Sequence, residues 1–243
     1  MRILSYPVLL CLLVLASPLA FASATDRPLD SHDADVFDKA SLRRGAETYV
    51  TYCQSCHGLK LMRYSRMARD LGMGDAVLQG MLRGVAKPSD SMLSAMTASD
   101  GEHWFGVAPP DLSLVARARG ADWIYSYLRG FYMDDSRPNG VNNFYYPDVA
   151  MPHVMSGLQG NLRPVMHKVN GVDVIDHLER ATQGHVKEAE FDTIVTDLVN
   201  FLVYVGEPSQ LERLKLGKWV MLIMVLLVIL FRRLKDEYWK DVH

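Results

Sequence analysis

An all-α fold is predicted: a body of helices joined by long loops, with one further C-terminal helix suited to a membrane. Two observations predict it. Apolar residues recur at helical spacing across residues 41–57, 111–132 and 188–208. A charge-free apolar run, Trp219 to Phe231, follows them. The 243-residue chain is 49% hydrophobic with a formal net charge of −2, which allows one globular body plus membrane segments. It holds no internal repeat and no low-complexity tract.

The elements follow in chain order. Residues 1–24 place Arg2 before an apolar run and Ala22-Ser23-Ala24 at its end. That is the pattern of a secretory signal peptide, cut after Ala24. The exported body then spans residues 25–212. Its first helix is capped by Ser41, carries Leu42, Ala46, Tyr49, Val50 and Cys53 at helical spacing, and ends at Gly58. The second lies within residues 111–132 and turns Leu112, Val115, Ile124, Tyr127 and Leu128 to the core. "VNGVDVID", Val169 to Asp176, is a small hairpin or a loop. From Glu188 onward, Phe191, Ile194, Val195, Leu198, Leu202 and Val205 recur at three and four, until Gly206 and Pro208 stop the helix. This last helix of the body is placed to cross the first.

Residues 213–234 form the expected transmembrane anchor. The charge-free run is shorter than the usual span of about 20 residues. Leu214, Leu216 and Gly217 lengthen it, and Lys218 can reach the interface. Trp219, Tyr238 and Trp239 suit the interfacial belts. Arg232, Arg233 and Lys235 put the tail, residues 235–243, on the cytoplasmic side. The expected placement is therefore single-pass in a bacterial inner membrane, with the body in the periplasm. Residues 25–212 hold 18 Lys+Arg against 25 Asp+Glu, a net of −7, and residues 213–243 hold 7 against 3, a net of +4. An acidic body at a membrane surface favours a basic soluble partner. No nucleic-acid partner is expected.

The chemistry sits in "YVTYCQSCHGLK", Tyr49 to Lys60. With Cys11 removed by cleavage, Cys53 and Cys56 are the only cysteines of the exported chain. One pair two residues apart is not the framework of a disulfide-stabilised secreted domain. Zinc would need further ligands at matching spacing, and His153, His167, His177 and His185 supply no such pair. A redox disulfide would need a βαβ setting, and no alternating strand pattern precedes the cluster. C-x-x-C-H is the attachment signature of c-type haem. On one helix, Cys53, Cys56 and His57 would share a face, so two thiols could meet the two vinyl groups while the imidazole reaches iron. For the opposite iron face, "YYPDVAMPHVMSGLQG" offers Met151 before Pro152, with Met155 and His153 as rivals.

Several segments together resemble the cytochrome c1 family. "RRGAETYVTYCQSCHGLKLMRYSR" resembles its haem-binding helix, "APPDLSLVARARGADWIYSYLRGFY" its P-P-D-L-S and R-A-R region, and "DVAMPHVMSGLQG" its sixth-ligand loop. The C-terminal anchor with a basic tail resembles the family's as well. The resemblance implies one covalently bound haem c, with His57 as fifth ligand and Met151 as sixth. It implies that Arg119 pairs with a haem propionate, as a guanidinium fork suits a carboxylate, and that Pro109 and Pro110 form a rigid wall beside the haem. Arg117 is expected on a solvated helix face. In some family members an extra cysteine pair or an insertion lies before P-P-D-L-S. This chain has no cysteine there, so packing must hold Met151.

By the same resemblance the chain carries single electrons from a Rieske iron–sulfur protein to a soluble cytochrome c or a similar acceptor. It would do so beside cytochrome b in a dimeric, quinol-oxidising bc1 complex. No side chain need act as acid, base or nucleophile. A second class is a haem enzyme or gas sensor with an open sixth position, in which Met151 only packs. A third places the subunit in a haem–copper oxidase, where an N-terminal anchor is more usual.

Overall fold

A computed structural model describes residues 27–240. The expected signal peptide, and Cys11 with it, lies outside the described residues. The frame of the body is two helices that cross, α1 (Lys39–Tyr52) and α8 (Glu188–Gly206). Asp38 caps α1, its carboxylate accepting from the backbone N–H of Ala40 at 2.9 Å and of Ser41 at 3.1 Å. Ser41 was the expected cap. Its side chain is instead buried in the crossing, where its hydroxyl accepts from the Asn200 amide at 2.9 Å. Leu42, Ala46 and Tyr49 of α1 and Phe191, Val195, Leu198 and Phe201 of α8 are buried, as their spacing requires.

Gly45 sets the closeness of the crossing. A Cβ there would lie 2.0 Å from the Asp197 carbonyl oxygen and 2.7 Å from the Phe201 Cβ. Asp197 is buried, and the Arg44 guanidinium meets it through two hydrogen bonds of 2.6 and 2.9 Å. That fork keeps a buried carboxylate paired.

Between these helices run short elements: β1 (Leu59–Arg63), α2 (Tyr64–Leu71), α3 (Asp75–Met81), β2 (Ser91–Met92), α4 (Ala98–Phe105), α5 (Val115–Arg119), α6 (Ala121–Arg129), β3 (Phe131–Met133), β4 (Val141–Asn143), α7 (Ser156–Gln159), β5 (Leu162–Val169) and β6 (Val172–Arg180). The single helix expected within 111–132 is thus two short helices, broken at Gly120, whose φ of +88° a side chain rarely adopts. Ile124 and Leu128 of α6 are buried, while Leu112, Val115 and Tyr127 are half-buried against the core.

The all-α expectation is corrected in the connections. Helices make the frame, but among the described residues three antiparallel two-stranded sheets, β1–β2, β3–β4 and β5–β6, brace the loops. These strands are two to nine residues long and make no periodic stripe of their own. The last pair turns at Asn170-Gly171, with φ of +53° and +82°, the dipeptide that closes two-residue hairpins. "VNGVDVID" is therefore the hairpin, not the loop.

After Pro208 the chain forms α9 (Gln210–Tyr238). At 1.5 Å per residue it is roughly 43 Å long, more than a hydrocarbon core of about 30 Å. It is long and apolar enough to cross a membrane, and none of its apolar stretch is covered by the described residues. The expected anchor, residues 213–234, lies within it. At the junction Glu207 pairs with Arg117 of α5 and, at 2.8 Å, with Arg213 of α9. Arg117 is exposed on its helix face as expected, and through Glu207 it also links α5 to the start of α9.

Candidate functional site

The first helix stops before the motif. Cys53 is its C-cap, and Cys56 and His57 lie in the turn beyond, both donating their backbone N–H to the Cys53 carbonyl, at 3.1 and 2.8 Å. The expected single helical face through residue 57 is therefore a tight turn. The turn still gathers both thiols and the imidazole within five residues. Cys53 is buried, and Cys56 and His57 are half-buried. Burial, reinforced by the nearby Cys56 thiol, pushes Cys53 up to about 12. Among the described residues no three His, Cys, Asp or Glu side chains are gathered to hold a metal ion.

His57 is oriented from two sides. Tyr49 on α1 donates its hydroxyl to the His57 carbonyl at 2.5 Å. The His57 Nδ1–H donates to the Pro110 carbonyl at 2.7 Å. This bond fixes the tautomer and leaves Nε2 with its lone pair, the form a metal takes. Burial lowers the His57 pKa, with the Pro110 carbonyl opposing, so the imidazole is kept neutral.

The P-P-D-L-S stretch has a plain structural purpose. Besides the Pro110 carbonyl, Asp111 accepts from the backbone N–H of Lys60 at 2.8 Å and of Ser113 at 3.0 Å. Leu112 donates its N–H to the Gly58 carbonyl at 2.9 Å, and the Ser113 hydroxyl accepts from Leu61 N–H at 3.1 Å. The stretch is zipped onto residues 57–61. A cleft of about 330 Å³ lies beside it, lined by Cys56, Gly58, Leu93, Met96, Pro109 and Asp111 among others. Sequence reasoning missed Tyr49, Asp111 and Ser113 as site-builders. The polar residues inside P-P-D-L-S were the available signal.

Met151 belongs to a second group, built on α6. It is half-buried, and its Sδ accepts from the Tyr127 hydroxyl at 3.4 Å. Burial, with Tyr146 nearby, raises the Tyr127 pKa and keeps that hydroxyl a donor. Trp123 stacks on Tyr127 at 4.8 Å, and the Arg119 guanidinium lies 4.9 Å over the Trp123 ring. Arg119 makes no salt bridge among the described residues, whereas Arg117 does. The rivals for the second iron face are placed otherwise. Met155 is fully buried in the core. The His153 ring stacks flat on Phe131 at 5.0 Å, and burial lowers its pKa to about 4.

Among the described residues no disulfide holds the Met151 loop, but β3–β4 braces it. Arg137 pairs with Asp148 at 2.7 Å, and Asn139 donates to the Ala150 and Met151 carbonyls at 3.3 and 3.5 Å. The buried Asn142 accepts from Asp148 N–H at 2.9 Å and donates to Asp134 at 2.9 Å. Asp148 itself sits at φ +62°, a conformation that costs energy outside glycine and needs such support.

The sequence comparisons decide among the readings. A model of the cytochrome C1 family matches residues 31–87 and 79–242. The chain belongs to the cytochrome c1 family. It is 48% identical over 240 residues to a protein named cytochrome c1 from Allochromatium vinosum, covering 97% of this chain and 98% of that one. It is 42% identical, over the whole of both chains, to a protein named ammonia monooxygenase gamma subunit from Nitrosomonas europaea. A protein named cytochrome b/c1 from Bradyrhizobium diazoefficiens is 25% identical over 85% of this chain and 34% of its own length. As a member of this family, the chain carries covalently attached haem c and works in electron transport as a c-type cytochrome of a bc1 complex. A haem enzyme or gas sensor with an open sixth position is not favoured.

The residues present fit that group. A c-type haem needs two thiols, one neutral imidazole with a free nitrogen and an open space beside them. The turn at Cys53–His57, the His57–Pro110 bond and the adjoining cleft supply these.

Proposed function

We propose that Cys53 and Cys56 would hold the haem through thioether bonds and that His57 Nε2 and Met151 Sδ would ligate its iron. We propose too that Arg119 and the Pro110 wall complete the pocket. The observation that carries this is the His57–Pro110 bond beside a C-x-x-C turn, which aims a lone-pair nitrogen away from the backbone. When bound, the haem iron supplies one-electron redox chemistry, and a methionine ligand raises its potential. The chain's residues position and insulate. The Asp111 and Ser113 contacts hold the histidine turn, and the β3–β4 braces hold the methionine loop. Arg119 stacks on Trp123 and pairs with no carboxylate among the described residues, so its guanidinium fork would suit a propionate.

In this reading the Rieske subunit delivers one electron and a soluble cytochrome c or similar acceptor removes it. Cytochrome b lies alongside, in a dimeric complex. The helix Gln210–Tyr238 crosses the bacterial inner membrane once, between a cleaved signal peptide and a basic cytoplasmic tail. The haem domain faces the periplasm. The acidic body steers a basic acceptor. The test is a pyridine haemochrome and a reduced-minus-oxidised spectrum of the membrane fraction, run beside Met151→Leu. A c-type haemochrome in both, with a low-spin spectrum only in the parent chain, supports the proposal. A parent spectrum that is high-spin and binds carbon monoxide readily contradicts it. For the docking surface, the electron-transfer rate to a basic cytochrome must fall as salt rises.

A further inference from the structure

Tyr127 makes a contact that ligation alone does not require. Its hydroxyl donates to Met151 Sδ at 3.4 Å. Its ring is held on three sides: Trp123 stacks at 4.8 Å and 12°, Phe131 meets it edge-on at 5.2 Å, and Tyr146 edge-on at 6.4 Å. A ring so confined cannot swing its hydroxyl elsewhere without disturbing its neighbours. A thioether sulfur is a weak acceptor, so a tyrosine aimed at it is a specific arrangement. Sulfur has two lone pairs; one can bind iron while the other accepts a hydrogen bond.

We propose that Tyr127 is a positioning residue for Met151, fixing the orientation of its thioether and tuning the donor strength of its sulfur. This rests on the reading of Met151 as the sixth ligand. A hydrogen bond to the sulfur draws electron density from it. The ferric state depends more on ligand donation than the ferrous state, so the bond disfavours the ferric form and raises the potential. Tyr127→Phe keeps the ring packing and deletes only the donor.

The experiment uses the full-length, haem-loaded chain in membranes. Tyr127→Phe is expected to keep a low-spin ferric spectrum while its midpoint potential falls and its methionine–iron charge-transfer band shifts. The control is Tyr145→Phe, whose hydroxyl faces Asp30 at 3.5 Å instead; it leaves both readings unchanged. A Tyr127→Phe potential equal to the parent's, with a band that Met151→Leu abolishes, overturns the inference and leaves the ligand assignment standing. A band that survives Met151→Leu overturns the assignment, and the inference with it. If phenylalanine unsettles the loop, 3-fluorotyrosine at position 127 has a more acidic, stronger donor. It must raise the potential, and no change there also overturns the inference.

Discussion

His57 is held by contacts close at hand. Its turn follows α1 directly, Tyr49 lies eight residues back, and one zipped stretch, Pro110 to Ser113, closes the other side. Met151 is held by a scatter of contacts reaching back to Tyr127, Arg137, Asn139 and Asn142. The first region is a turn clamped onto a strand. The second is a long loop that would drift without its braces. Each half should therefore fail differently: the histidine side with the helix frame, and the methionine side on its own as well.

The largest effect should come from the frame. Gly45→Ala puts a methyl group 2.0 Å from the Asp197 carbonyl. Backbone must move, at a cost of about 3 kcal/mol or more. Thermal melts should show a large loss of stability in which both halves melt together; an unchanged melt would mean that the α1–α8 crossing does not hold the site. Asp111→Ala removes the acceptor of two backbone N–H groups, worth about 2 kcal/mol when the acceptor is charged. It should lower haem retention, measured by haemochrome per polypeptide, while the chains that keep haem still show the methionine–iron band.

Asn142→Ala should act on the other half only. It strands the Asp148 N–H and frees the loop, costing about 1–2 kcal/mol. Carbon monoxide binding to the reduced protein should rise while haem content stays constant. The smallest effect belongs to β5–β6, outside both halves. A hydrogen bond to Asp176 raises the His177 pKa, and the same bond lowers that of Asp176. The His177 contribution is fully present below its ordinary value near 6.5 and is lost as pH rises through the raised one. The Asp176 contribution is lost only as pH falls through the depressed carboxylate value. Amide exchange across residues 162–180 should therefore show slightly more opening at about pH 8.5 than at about pH 6, once intrinsic rates are corrected. Equal opening at both would place the hairpin's stability elsewhere.

The same division governs what the sequence reveals. The C-x-x-C-H cluster is legible because its chemistry lies in five consecutive residues. The helix from Glu188 is legible because Phe191, Val195, Leu198 and Leu202 repeat their burial. Shorter features lack that redundancy. β1–β2 has a two-residue strand, and Gly120 divides a helical pattern that the apolar spacing alone would continue. Asn170-Gly171 did carry a hairpin signal, weakened by the exposed, mixed residues around it. The role of Pro110 was half legible. A proline wall can be read from the letters, but not that its carbonyl meets an imidazole 53 residues away. Tyr127 was legible only as a core position. Its donation to Met151 depends on where α6 and the loop come together in space.

Magnetic circular dichroism of the ferric, full-length protein reads the ligation by Met151 itself. The expected result is a low-spin iron with a methionine–iron charge-transfer band that disappears in Met151→Leu and persists in Met155→Leu and His153→Gln. A band that persists in Met151→Leu, or that vanishes with Met155 or His153 instead, would contradict it.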